Sequence, residues 1–104
     1  DEEHQEWLYS TSCSIIDVNW LADRKLPLTC NAKFRYRQQD NPVTVSLRED
    51  GTLIASFPEK IRSVTPGQEA VIYDGDTLVC GGKIDVVYQN DKDLMKEILD
   101  TVNA

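Results

Sequence analysis

The sequence predicts an all-β fold, a small closed β-barrel of about six or seven short strands finished by a short C-terminal α-helix. Three observations carry that expectation. Apolar and polar residues alternate along several short runs, as strands with one buried face require. Turn signals recur roughly every ten residues, too closely for alternating helices and strands of a layered α/β fold. Gly81-Gly82 interrupts the last apolar run, which is how a bulge or a barrel corner reads in sequence and how a small sheet closes on itself.

In chain order, Asp1 to Glu6 is an acidic lead-in, and Trp7 to Trp20 reads as the first strand, with Leu8, Cys13, Ile15, Ile16 and Val18 among serines and threonines. Leu21 to Pro27 breaks the pattern, because proline removes a ladder donor and biases Leu26 toward an extended backbone. From Leu28 to Tyr36 the alternation resumes. It places Ala32, Phe34 and Tyr36 on a core face and Lys33, Arg35 and Arg37 on the other, a cationic face. Three like charges on one face suit a solvated edge strand guarded against aggregation, or an anionic partner. Gln38 to Pro42 ends that strand. Val43, Val45 and Leu47 then alternate with Thr44, Ser46 and Arg48, and Glu49-Asp50-Gly51-Thr52 is a hairpin turn. Leu53 to Phe57 is the returning strand, Pro58-Glu59-Lys60 a loop, and Ile61 to Val64 a short connector.

Pro66-Gly67 is a further turn signal, since proline presets φ and glycine accepts a positive one. Glu69 to Tyr73 and Leu78 to Cys80 form a hairpin around Asp74-Gly75-Asp76, and Lys83 to Tyr88 continues it. Asn90 is the expected helix cap, with Asp91 and Asp93 in the first turn. Leu94, Met95, Ile98, Leu99 and Val102 recur at helical spacing as one apolar stripe that packs on the barrel or on a neighbouring domain.

The 104 residues carry 11 Lys and Arg against 18 Asp and Glu, a net charge of −7 that by itself argues against nucleic-acid binding. The distribution argues otherwise. Residues 24–62 hold eight bases and four acids, so the middle third is net +4 within an acidic chain. A basic patch beside aromatic and amide groups can contact phosphates and bases while the rest of the surface repels nonspecific RNA.

Catalytic and metal-binding patterns do not emerge. The sequence has no Gly-rich phosphate loop, no Ser-His-Asp or Cys-His grouping, and no Cys-x-x-Cys or His-x-x-x-His spacing. Asp74 and Asp76 lack the further oxygens of a calcium loop and read as a turn. Cys13, Cys30 and Cys80 are odd in number and far apart, and the sequence reads them as reduced, buried thiols. His4, the single histidine, lies in the acidic terminus. No apolar run approaches the roughly 20 residues of a membrane helix, and the start is not a basic signal-peptide head. The expected compartment is the cytoplasm.

The motifs Asp17-Val18-Asn19-Trp20, Leu28 to Gln38, Val64 to Asp76 and Gly81-Gly82, in that order, resemble the C-terminal domain of the bacterial tRNA-specific 2-thiouridylases over about residues 15–88. The resemblance implies a barrel similar to the second domain of translation elongation factors. It implies an enzyme that uses ATP and magnesium to adenylate the C2 carbonyl of the wobble uridine, U34, and replaces that oxygen with persulfide sulfur. It further implies lysine, glutamate and glutamine tRNAs as substrates, a sulfur-carrier protein, and catalytic and central domains of the same enzyme as partners.

On that resemblance residues 1–14 are a lead-in and the end of the preceding domain, 15–89 the tRNA-docking barrel, and 90–104 a helix beyond the usual family pattern. Catalytic residues, cofactor and metal belong to the other domains, so this fragment alone is expected to be inactive, with no role for its three cysteines in sulfur transfer. Arg35 and Tyr36 correspond to a tRNA-contacting pair, Gln68 to another contact, and Lys33 and Arg37 flank the pair on the same strand. The alternative is a structural barrel that packs on a catalytic domain without reading RNA.

Overall fold

The computed structural model describes residues 6–34 and 40–103. Seven strands and one helix follow one another: β1 (Tyr9–Trp20), β2 (Leu28–Lys33), β3 (Asn41–Leu47), β4 (Leu53–Arg62), β5 (Glu69–Asp74), β6 (Thr77–Gln89), β7 (Lys92–Asp93) and α1 (Leu94–Val102). The sheet runs β1-β4-β3-β2-β5-β6-β7, and β1 also pairs with β6, so six antiparallel strands close into a barrel with β7 appended. Closure leaves no open edge among those six to template aggregation.

Alternation fills the interior. Cys13 and Ile15, Cys30 and Ala32, Val43 and Val45, Leu53, Ala55 and Phe57, and Ala70 and Ile72 all point inward from successive strands. Phe34, just beyond β2, meets Phe57 edge to face with ring centroids 5.3 Å apart. Burying a ring of that size contributes about 1.5–3 kcal/mol. Ala32 and Phe34 thus take the core face expected of them, and Tyr36 lies outside the described residues. Leu47 departs from its alternating partners and is exposed.

Two bulges bend β1 and β6 around each other. Ile16 lies opposite Lys83 and Asn19 opposite Gly81, so β1 carries the extra residue there, with Asp17 at φ 52°. The glycines are therefore not themselves the bulge: Gly82 supplies the room for one in β1. At the second bulge the extra residue is in β6, between Ile84 and Val87, and the Val86 N–H donates to the buried Ser14 Oγ at 3.0 Å. A hydroxyl thereby replaces a missing ladder carbonyl.

β4 differs from the sequence reading, which placed a loop at Pro58–Lys60. It runs unbroken to Arg62, with Ser12 opposite Ser56 and Ser10 opposite Ile61, so five steps of β4 match two of β1. Pro58 falls in this unmatched stretch, where its absent N–H costs no ladder bond.

The helix start also differs. Asn90 and Asp91, at φ 51° and 68°, form the two-residue turn between β6 and β7, a conformation that Asn and Asp tolerate better than other non-glycine residues. Asp93 is the N-cap, its Oδ1 accepting from the Lys96 N–H at 3.1 Å. Leu94 is buried and Ile98 packs against the core, whereas Met95, Leu99 and Val102 face outward. Replacing Asp93 with Ala removes one satisfied helix donor, and a loss of about 1 kcal/mol is expected in chemical denaturation.

Candidate nucleic-acid interface

The turn leading into β5 is built by Pro66 and Gly67. The Gln68 N–H donates to the Thr65 carbonyl at 3.4 Å with Gly67 at φ 91°, which is a type II turn with proline and glycine in their required places. Two backbone bonds of 2.8 Å, Gly67 N–H to Ile84 O and Ile84 N–H to Gln68 O, fasten that turn to β6. The half-buried Gln68 side chain turns back on it, with Oε1 accepting from the Thr65 N–H at 3.3 Å. This leaves the two N–H groups of Nε2 without a partner among the described residues. The result is an amide held in one orientation with its donors outward.

Lys33 lies on the neighbouring strand. It pairs in register with Val71, three residues beyond Gln68, or about 10 Å along the strand. Its Nζ lies 3.6 Å from Asp40 Oδ1 and 5.6 Å from the centre of the Tyr73 ring. Both members of the Lys33–Asp40 pair are more than two-fifths exposed, and an ion pair so solvated contributes at most about 1 kcal/mol, leaving Lys33 able to exchange Asp40 for another anion. Of the expected site residues, Lys33 and Gln68 therefore sit at one end of the barrel. Arg35, Tyr36 and Arg37 lie outside the described residues.

At the same end lies a feature that sequence reasoning missed. Tyr9, Asn41, Pro42 and residues 59–62 line a cleft of about 310 Å³. Lys60 Nζ stands 5.0 Å from the centre of the Tyr9 ring. Lys60 and Arg62 are exposed on either side of buried Ile61, an i, i+2 signal present in the sequence but hidden by assigning Pro58–Lys60 to a loop. Tyr9 could not have been found locally, because only the pairing of β1 with β4 brings it there.

The three thiols are poor candidates for chemistry. All are buried. Burial pushes Cys13 up to about 12 and Cys80 up to about 11, the latter helped by the charge of Cys30. Cys30 is raised by burial and then by the Asp74 carboxylate. Among the described residues no three His, Cys, Asp or Glu side chains gather as a metal site, and no helix is long and apolar enough to cross a membrane.

The described residues thus form a closed antiparallel β-barrel domain with a polar, partly cationic end. Residues 10–84 match the aminomethyltransferase beta-barrel domain family, and the chain belongs to it. Individual relatives are more specific. The chain is 47% identical over 96 residues to the tRNA-specific 2-thiouridylase MnmA of Lysinibacillus sphaericus, covering 90% of this chain and 25% of the relative. It is 48% identical over 93 residues to the enzyme of the same name from Listeria monocytogenes, covering 88% and 25%. To MnmA 2 of Geobacillus kaustophilus it is 50% identical over 91 residues, covering 86% and 24%. The chain thus spans about a quarter of the length of these relatives, and they bear out the resemblance read from its motifs.

Proposed function

We propose that this barrel is the tRNA-docking domain of an ATP-dependent enzyme that 2-thiolates the wobble uridine, U34, of tRNA. The observation that carries the reading is Gln68: in a chain about half identical to 2-thiouridylases, its amide is fixed by its own turn with both N–H groups free among the described residues, and it lies near β2, which ends in Lys33 just before Arg35, Tyr36 and Arg37 in the sequence. Arg35 forks onto a phosphate, Tyr36 stacks on a base or donates its hydroxyl, and Gln68 donates to a phosphate or base edge. Lys33 and Arg37 add sequence-independent attraction.

On this reading ATP and magnesium binding and sulfur transfer are not tasks of this domain, a division supported by the burial that pushes the Cys13 thiol up to about 12 and Cys80 up to about 11. Those tasks fall to catalytic and central domains of the same cytoplasmic enzyme, fed by a sulfur-carrier protein and acting on lysine, glutamate and glutamine tRNAs. Replacing Arg35 with Ala in the full-length enzyme is expected to raise the tRNA Kd about tenfold and to reduce the slope of log K against log salt by about 1. Unchanged affinity and slope would overturn the reading.

A second reading, a structural barrel that packs on the catalytic domain, is favoured by the outward Met95, Leu99 and Val102 of α1. Under it, the domain associates with a catalytic part lacking it in the absence of tRNA, and Leu99→Glu abolishes that association.

A further inference from the structure

We infer that the cleft between β3 and β4 is a second RNA-backbone site, in which Lys60 and Arg62 each neutralise a phosphate of one strand passing over Tyr9. The inference rests on the docking reading above, since it assigns further contacts to the same RNA.

The cleft exists because the strands part. β3 pairs with β4 from Leu47 opposite Leu53 only as far as Thr44 opposite Ser56, whereas β4 continues along β1 to Arg62 opposite Tyr9. Beyond Ser56 the stretch containing Pro58 swings β4 toward β1 and away from Asn41 and Pro42. What is left is a groove walled by the start of β3 on one side and by the end of β4 on the other, with Tyr9 as part of its lining.

Its charge suits an anion. Neither Lys60 nor Arg62 has a carboxylate within 4 Å among the described residues, in a chain of net charge −7. Glu59, which also lines the cleft, forms no ion pair with either cation, and the three side chains sum to one positive charge. Lys60 is instead laid over the Tyr9 ring, a cation–π contact that orders its stem while leaving the ammonium exposed for a second partner. A second cleft of about 340 Å³ shares Tyr9 and Lys60, so the pair stands as a ridge between two grooves and is reachable from both.

Spacing suits a polymer. Residues two apart on a strand emerge on one face about 7 Å apart, a separation that addresses two successive phosphates better than it clamps a single one. Asn41 follows Asp40, the partner of Lys33, so this groove adjoins the Lys33 site at the same barrel end. One RNA strand can then run from Lys33 past Asn41 to Lys60 and Arg62.

The test measures binding of an unmodified tRNA transcript to the full-length enzyme by fluorescence anisotropy between 50 and 200 mM chloride. Lys60→Gln with Arg62→Gln is expected to raise Kd about tenfold and to lower the salt slope by about 1.4, roughly 0.7 for each phosphate lost from a single strand. Lys60→Arg with Arg62→Lys is expected to bind like the wild type, because only the charges are needed. Arg62→Gln alone, which leaves the Tyr9 contact in place, is expected to lower the slope by about 0.7 and covers the case in which the double variant is misfolded.

Wild-type affinity and slope in the neutral variants, with Arg35→Ala still weakening binding, would overturn the cleft and leave the docking reading standing. No effect of any of these substitutions would overturn both. A raised Kd with an unchanged slope would overturn the inference by showing that the cations hold the fold rather than the RNA. Inorganic phosphate is expected to compete no better than chloride at equal ionic strength, and selective displacement of tRNA by phosphate would replace the strand site with a single-phosphate pocket.

Discussion

Gly82→Ala is expected to destabilise the barrel by on the order of 3 kcal/mol, the upper range for forcing a methyl into a packed interior, lowering Tm by roughly 12–24 °C for a domain of this size. A Cβ at Gly82 would stand 2.6 Å from Ile15 Cγ2 and 2.8 Å from the Ile16 carbonyl oxygen. The first of these belongs to a fully buried side chain, and the second is backbone. Neither can move without opening the β1–β6 seam, the pairing that turns a six-stranded sheet into a barrel. The neighbouring glycine is the control. At Gly81 the nearest atom is the Ala70 carbonyl oxygen at 3.5 Å, an ordinary contact, so Gly81→Ala is expected to cost less than about 1 kcal/mol. Thermal unfolding followed by circular dichroism separates the two, and equal melting temperatures would mean that the seam does not depend on this close approach.

That seam marks the boundary of what the sequence makes legible. Features set by a few adjacent residues could be read directly. Pro66-Gly67 gives a type II turn, Gly75 takes φ 61° in its hairpin, and the inward set Cys30, Ala32 and Phe34 follows from strand periodicity. Features set by distant partners could not. Pro58 argues locally for a loop, but it is accommodated because β1 skips past it, and nothing near Pro58 encodes that register. Asn90 has the chemistry of a helix cap and of a left-handed turn residue alike. The two-stranded pairing of Gln89 with Lys92 decides for the turn and passes the cap to Asp93.

The candidate site divides along the same line. Gln68 and Lys33 were legible because each belongs to a contiguous motif, and their nearness follows from the pairing of β2 with β5. The Tyr9–Lys60 contact joins residues on β1 and β4 that no local pattern relates. The cationic character of residues 24–62 was visible as a count, and folding divides it. Arg24 is spent on Asp74 at 2.8 Å and Lys33 is shared with Asp40, while Lys60 and Arg62 have no carboxylate partner among the described residues. A net charge of −7 therefore says little about one end of the barrel.

The stability of the domain is expected to fall steeply in alkaline solution because of Cys13. Burial without a compensating charge raises its thiol from 9.0 to about 12, so the folded chain keeps a proton that the unfolded chain releases. Stability from this group is fully present below pH 9. It declines as pH rises from there toward 12, by about 1.4 kcal/mol per pH unit, for a total on the order of 4 kcal/mol.

Cys13→Ala removes the titration. At pH 8 the variant is expected to be the less stable by about 1 kcal/mol, since a buried sulfur is lost; the order reverses above roughly pH 10, where the thiol's proton linkage exceeds that loss. Urea unfolding of both proteins at pH 8 and pH 11 checks the crossing, because lysine and tyrosine titrations are common to both and cancel. A difference that stayed constant between the two pH values would show that the thiol ionises as freely in the fold as outside it. The same protonation bears on function. A cysteine that takes up sulfur must attack its donor's persulfide as a thiolate, displacing the donor's own thiolate, and Cys13, fully buried with its thiol pushed up to about 12, is expected to react with iodoacetamide no faster than the barrel opens. Labelling at the rate of a free thiol would reopen a role for this cysteine in sulfur transfer.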